Sequence, residues 1–223
     1  MKIVTPYAKT LWLPNRVAGI ELLRRVEWCA RVSHKSEERQ TEDSWERFLQ
    51  AVVLEHGDWS VVEHASATVI FRVDRGITHE LVRHRLFSFT QESTRFVNGR
   101  KSYPDGLEFI QPSFVGADPV VAQASWKADM YHAEQSYFDQ LDMGQPPQIA
   151  RSILPNALAS TISVTGNLRN WRHFFLMRSS KESHPDMRKV VIPLLAEFQK
   201  LVPIIYDDVV SNARQIENLR MPR

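Results

Sequence analysis

The chain has 223 residues, 43% of them hydrophobic and 24% charged, with a formal net charge of +2 and one cysteine, Cys29. That length supports one sizeable core or two small ones, while a lone cysteine excludes an internal disulfide and a cysteine-rich metal site. A charge this near neutral argues against bulk nucleic-acid binding, and no apolar run approaches the roughly 18 residues of a membrane span.

Lys2-Ile3-Val4 reads as a short strand, and the opening Met-Lys-Ile-Val-Thr-Pro lacks the apolar core of a signal peptide, so a cytoplasmic protein is expected. Pro6 and Pro14 bound what reads as an irregular lead-in. Ile20, Leu23, Val26, Cys29 and Ala30 fall at helical spacing and predict a helix over 17–32, ended by Ala30-Arg31-Val32-Ser33. Residues 35–43 form a polar connection. Ser44 is expected to cap a second helix through Trp45, Phe48, Leu49, Val52 and Val53, stopped at Gly57.

The β-branched run Ser66 to Val73 predicts a buried strand, broken at Gly76, and Ile77 to Leu86 predicts a helix. Asn98-Gly99 and Pro104-Asp105-Gly106 are turn signals, with an extended segment expected from Tyr103 to Phe114. A long helix is predicted over 119–143, a short one from Pro147 to Leu154, a strand from Ala159 to Val164 and a helix from Leu168 to Met177. Pro185 opens a last helix that contains Pro193, a candidate kink. The tail from Ser211 to Arg223 reads either as an ordered helix or as a basic end. Without repeats or linkers, the pattern predicts an α+β fold: a single domain, residues 1–223, of several helices packed with a small mixed or antiparallel sheet.

The most informative stretch runs from Arg83 to Phe96: Arg-His-Arg, then aromatics alternating with hydroxyls and amides, then Arg95. Three cationic or near-cationic side chains in a row suit neither a core nor a mixed-charge surface. They suit a pocket for a flat, anionic, hydrogen-bonding ligand such as a nucleotide, because arginine forks grip phosphate bidentately.

Rival chemistries fare worse. His79 and His84 are five residues apart, about 140° around a helix, and the neighbouring arginines repel a divalent cation, so no metal site is expected. Cys29 lies on the apolar stripe of the first helix, where core packing outweighs reactivity. No Gly-x-Gly-x-x-Gly occurs, so no Rossmann phosphate cradle is expected.

Arg83-His84-Arg85, seven residues and then Ser93, with Ser88, Gln91, Glu92 and Arg95 in place, resembles the signature of the flavin-dependent thymidylate synthases. The similarity extends to Ala30-Arg31-Val32-Ser33, Ser60-x-x-Glu63-His64, Ala150-Arg151-x-x-Leu154-Pro155 and the stretch from Asn167-x-Arg169 to Arg178. It implies a homotetramer with FAD sites shared between subunits. It also implies transfer of a methylene from 5,10-methylenetetrahydrofolate to dUMP, with NADPH as reductant and without a cysteine nucleophile.

By the same resemblance Arg83, His84 and Arg85 would bind FAD, supported by Ser33, Ser60, Gln91, Asn167 and His173. Glu80, Gln91, Ser93, Arg95, Arg151 and Arg178 would hold dUMP, Arg178 from a neighbouring subunit, with Arg95 and Arg178 nearest the chemistry. Blander readings stand beside these: Ser33 as a plain helix end, Asn167 and His173 as an exposed helix face, Glu63-His64 as a buried structural pair. Asp58, Thr90-Gln91, Phe96 and Glu182 depart from residues frequent in the family. A dUMP hydroxymethylase of the same fold, and a non-enzymatic nucleotide- or RNA-binding protein using the same arginines, are the alternatives.

Overall fold

In the computed structural model, which describes residues 1–209, the chain opens with strands β1 (Lys2–Val4) and β2 (Tyr7–Leu11). Helix α1 (Arg16–Val32) follows, its N-terminus capped by Asn15, whose Oδ1 accepts from Ala18 N at 3.0 Å. Next come α2 (Ser44–Leu49), a π-helical turn (Gln50–Glu55), a 3₁₀ turn (Trp59–His64) and β3 (Ser66–Asp74). Then follow α3 (Arg75–Leu81), β4 (Ser88–Gln91), α4 (Gly99–Ser102), β5 (Glu108–Ile110) and the long α5 (Pro119–Asp142). The chain goes on through α6 (Pro147–Ala150), a 3₁₀ turn (Arg151–Ile153), β6 (Ala159–Asn167), α7 (Leu168–Arg178) and α8 (Pro185–Leu201). The tail from Ser211 to Arg223 lies outside the described residues.

The expected α+β class is what the chain adopts. Strands β1 and β5 pair in parallel with Ile3 opposite Phe109, and four further strands form a sheet in the order β2-β3-β6-β4. No helix among the described residues is long and apolar enough to cross a membrane.

The described residues cluster into two compact units, each assembled from separate stretches of chain. The first comprises Met1–Tyr7, Phe71–Arg83 and Thr90–Ile162. Its core joins Leu107 and Phe109 to Met130, Tyr137 and Phe138 of α5, with Ala150 and Leu158. Tyr137 is buried with its hydroxyl accepting from Gly99 N at 3.1 Å, so its polar end is satisfied where its ring is dry.

The second unit comprises Ala8–Ile70, His84–Phe89 and the chain from Ser163 onward. Its core is an aromatic group in which Trp171, Phe174 and Phe175 of α7 meet Phe198 of α8 and Tyr206. Each such side chain, fully buried, contributes roughly 1.5–3 kcal/mol of transfer free energy. Trp171 Nε1 donates to Ala67 O at 3.0 Å and the Tyr206 hydroxyl to Leu168 O at 2.9 Å, which fixes the register of α7.

Several boundaries differ from expectation. Tyr7–Leu11, read as irregular, is strand β2 at the sheet edge, where flanking prolines bound a strand without interrupting it. Ser44 is the first residue of α2 and not its cap; its hydroxyl donates to Glu27 Oε1 at 2.7 Å, a buried acceptor on α1. The second helix leaves α geometry at Leu49 and continues as a π turn, and Gly57, at φ +80°, ends it.

Helix α3 stops at Leu81, so Arg83, His84 and Arg85 lie in a turn and His79 and His84 do not share a helix. Strand β4 was not anticipated, β6 runs three residues beyond Val164 to Asn167, and only Glu108–Ile110 of the extended segment pairs. Helix α8 runs unbroken from Pro185 to Leu201 despite Pro193.

Gly166 explains part of how the basic turn is seated in the second unit. A Cβ at this position would lie 2.4 Å from the ring of Phe87, itself packed at 4.8 Å from Trp171, so the ring has nowhere to retreat. Gly166→Ala is expected to destabilise the protein by about 1–3 kcal/mol, the usual range for overpacking, read as a fall of several degrees in Tm by calorimetry.

Candidate functional site

The second unit places three of the expected flavin-side residues, His84, Asn167 and His173, near one another. Asn167, at the end of β6, caps α7 by accepting from Asn170 N at 2.8 Å, and Asn170 Nδ2 donates to Leu86 O at 3.1 Å. This ties the helix N-terminus to the basic turn. A recess of about 640 Å³ opens there, lined by Glu63, Leu86, Asn167, Arg169, Asn170 and His173. Its volume is in the range of small-molecule sites, and amide, imidazole and guanidinium donors at a helix N-terminus suit a hydrogen-bonding, phosphate-bearing ligand. Asn167 is therefore a cap and a lining residue at once.

His84 is not the third cation of its motif. Arg178 Nε donates to His84 Nε2 at 2.9 Å, so that nitrogen is unprotonated and the ring proton sits on Nδ1. The imidazole meets Phe174 edge-on at 5.0 Å, with Phe87 and His173 at 6.2 and 6.5 Å. Burial, the Arg178 charge and the nearby His173 together push its pKa down to about 4. Sequence adjacency could not reveal this, because the pairing partner is 94 residues away.

Arg83 and Arg85 are exposed. Ser33 is an exposed helix end whose hydroxyl donates to Ala30 O at 2.8 Å, and Ser60 is exposed in the 3₁₀ turn after the equally exposed Asp58. Glu63 and His64 are not a buried pair: both are exposed, and Glu63 instead meets Arg169 at 2.5 Å. Exposed pairs of this kind add little stability. Arg169 and Asn170 line the recess without having been singled out; Asn167-x-Arg169 was the available signal. Glu182 is exposed, its carboxyl held below the usual range by a hydrogen bond from its own backbone and one from Ser180.

The first unit gathers most of the expected nucleotide residues around the segment after β4. Ser93 Oγ accepts from Arg95 N at 3.3 Å, Arg95 Nε donates to Gln148 Oε1 at 3.2 Å, and Arg151 Nη1 donates to Thr94 Oγ1 at 3.3 Å. Arg95 also lies over the exposed Phe96 ring at 5.2 Å. Gln91 Nε2 donates to Thr78 Oγ1 at 2.9 Å and to Ser160 Oγ at 3.1 Å. Thr78 already donates to Arg75 O, so it can only accept from Gln91. The geometry thus uses the donors of the Gln91 amide. Glu80 is half-buried on α3. Arg178 belongs to the second unit with His84.

The fold is thus that of an α+β protein with basic clusters on short turns. Residues 21–204 match the family model described as thymidylate synthase complementing protein. A flavin-dependent thymidylate synthase of Corynebacterium glutamicum is 34% identical over 221 residues, covering 92% of this chain and 85% of that one. The corresponding enzyme of Mycobacteroides abscessus is 38% identical over 171 residues, 70% of this chain and 66% of the relative. The crystal structure of a UMP/dUMP methylase, PolB from Streptomyces cacaoi bound with 5-Br dUMP, superposes with a TM-score of 0.77. It covers 95% of this chain and 100% of that one at 23% identity, which speaks to the fold. The chain belongs to the flavin-dependent thymidylate synthase family.

The state of His84 has a pH signature. Its folded pKa, about 4, lies below the ordinary 6.5, so the unfolded chain binds more protons between those values. The stability from burying the neutral ring is fully present above pH 6.5 and is lost as pH falls toward 4. NMR titration should give a His84 midpoint near 4, and His84→Asn should flatten the fall of unfolding free energy across that window.

Proposed function

We propose that the protein is an FAD-dependent methyltransferase that converts dUMP to dTMP, taking carbon from 5,10-methylenetetrahydrofolate and reducing power from NADPH, without a cysteine nucleophile. The observation that supports this most is the grouping of Ser93, Arg95 and Arg151 about one segment of a chain in this family. Two arginines and a hydroxyl are a phosphate grip, and planar guanidinium forks give it direction.

In this reading Arg95, Arg151 and Ser93 hold the nucleotide phosphate. Gln91 accepts through its carbonyl, its amide being committed to Thr78 and Ser160. Glu80, an acid, serves as an acceptor for a ring N–H or a sugar hydroxyl, since ionised carboxylates only accept. Arg178, oriented by its bond to His84, polarises a uracil carbonyl and favours attack from carbon 5.

Arg83 and Arg85 would hold the FAD phosphates, with Ser33, Ser60, Asn167 and His173 as supporting contacts. Bound there, reduced FAD would supply the hydride that completes the methyl group. Cys29, on α1 and only partly exposed, takes no part.

The chain works as one domain over residues 1–223. Neither compact unit is a continuous stretch of sequence, which supports this. We further propose a cytoplasmic homotetramer in which Arg178 serves a neighbour's nucleotide. Trp12, Leu86 and Val115, each more than three-quarters exposed, are apolar surface that subunit contact would cover.

Tritium release from carbon-5-labelled dUMP, with FAD, NADPH and methylenetetrahydrofolate omitted in turn, tests the reaction. Turnover should collapse with each omission. Turnover without flavin, or bound flavin with no turnover, would sink it. Arg95→Ala and Arg178→Ala should each raise the Kd for dUMP at least tenfold, about 1.4 kcal/mol, in a folded protein. Unchanged affinity in both would overturn the pocket assignment.

A further inference from the structure

On β3 the side chains of Ala67, Val69, Phe71 and Val73 are buried in strict alternation, as one face of a sheet requires. Arg72 stands on the opposite parity and should face water, yet it is 9% exposed. A guanidinium leaves water only if acceptors replace it.

Within the first unit they do. Arg72 Nη1 donates to Glu92 Oε2 at 2.8 Å and to Thr161 Oγ1 at 3.0 Å, and Nη2 donates to Glu108. Glu92 also accepts from the Tyr103 hydroxyl and, at 3.2 Å, from Thr161 N, while its own N–H donates to Thr161 O at 2.9 Å. Three donors therefore converge on one carboxylate, and the backbone of the same residue is pinned as well. Burial and the bond to Glu92 push the Tyr103 hydroxyl up to about 12, so it remains a donor.

We propose that Glu92, clamped by Arg72 and Tyr103, is a positioning residue that sets the geometry of the nucleotide-gripping segment from Gln91 to Arg95. This rests on the reading of that segment as the dUMP grip. Glu92 sits between Gln91 and Ser93, whose side chains make the contacts described above. The cavity it faces, shared with Thr94, Tyr103, Glu108 and Tyr137, has a volume of about 20 Å³. That is room for one water and not for a nucleobase. Glu92 thus acts through the backbone of its neighbours and not by touching the nucleotide. Only a carboxylate serves here: its two oxygens meet three donors, whereas an amide offers one oxygen and adds donors of its own.

The test is dUMP binding by calorimetry and steady-state kinetics on the FAD-loaded full chain, at a temperature well below Tm. Glu92→Gln should raise both Kd and KM for dUMP about tenfold, with kcat and flavin content little changed, since sub-ångström misplacement of a grip costs affinity first. Tyr103→Phe, which removes one donor, should raise them about threefold by the same reasoning. A Glu92→Gln enzyme with lowered Tm but wild-type Kd and KM makes the network merely structural and overturns the proposal. If Glu92→Gln fails to fold, Tyr103→Phe decides by the same readout, and unchanged affinity there overturns it. If wild type binds no dUMP, or Arg95→Ala binds it normally, the reading of the segment is at fault and the positioning falls with it.

Discussion

A charged or polar group withdrawn from water must find its partners inside the protein, and this constraint shapes both clusters. Arg72 is buried only because Glu92, Glu108 and Thr161 converge on it. Breaking such an arrangement from one side leaves an uncompensated buried charge, which costs far more than the pair adds to stability. The backbone N–H of Glu92 is bonded to Thr161 O as well, and the exposed Arg95 lies three residues further along the same segment.

The second unit solves the same problem with a neutral group. Within its aromatic wall a protonated imidazole beside Arg178 would place two cations together in a poorly hydrated space. His84 instead gives up its charge and accepts from the guanidinium. The three basic letters of the motif are thus two exposed cations and one neutral acceptor. An arginine oriented by an acceptor is a better electrostatic tool than one free to rotate, because its reorganisation is complete before a substrate arrives.

Much of the fold was legible locally. Local pattern located α1, α5 and α7 to within a residue or two and gave the start of α8, because 3.6-residue periodicity persists over three or more turns. β3 was legible from β-branched density. The short elements were not. β2 and β4 have four or five residues each, too few for a period to emerge, and α3 ends early within a run that is helical by composition. Gly166 inside β6 gave no hint that it makes room for Phe87.

The sequence by itself determined the family, and with it the candidate site residues and the order in which they occur, since those depend on identity and spacing along the chain. Only the tertiary structure decided which charges survive, which amides donate and which acids are buried. Arg178 and His84 are 94 residues apart, and Arg72 lies 36 residues from Glu108 and 20 from Glu92. Protonation and hydrogen-bond polarity are set by whatever the folded chain brings within about 3 Å, and no local pattern encodes that distance.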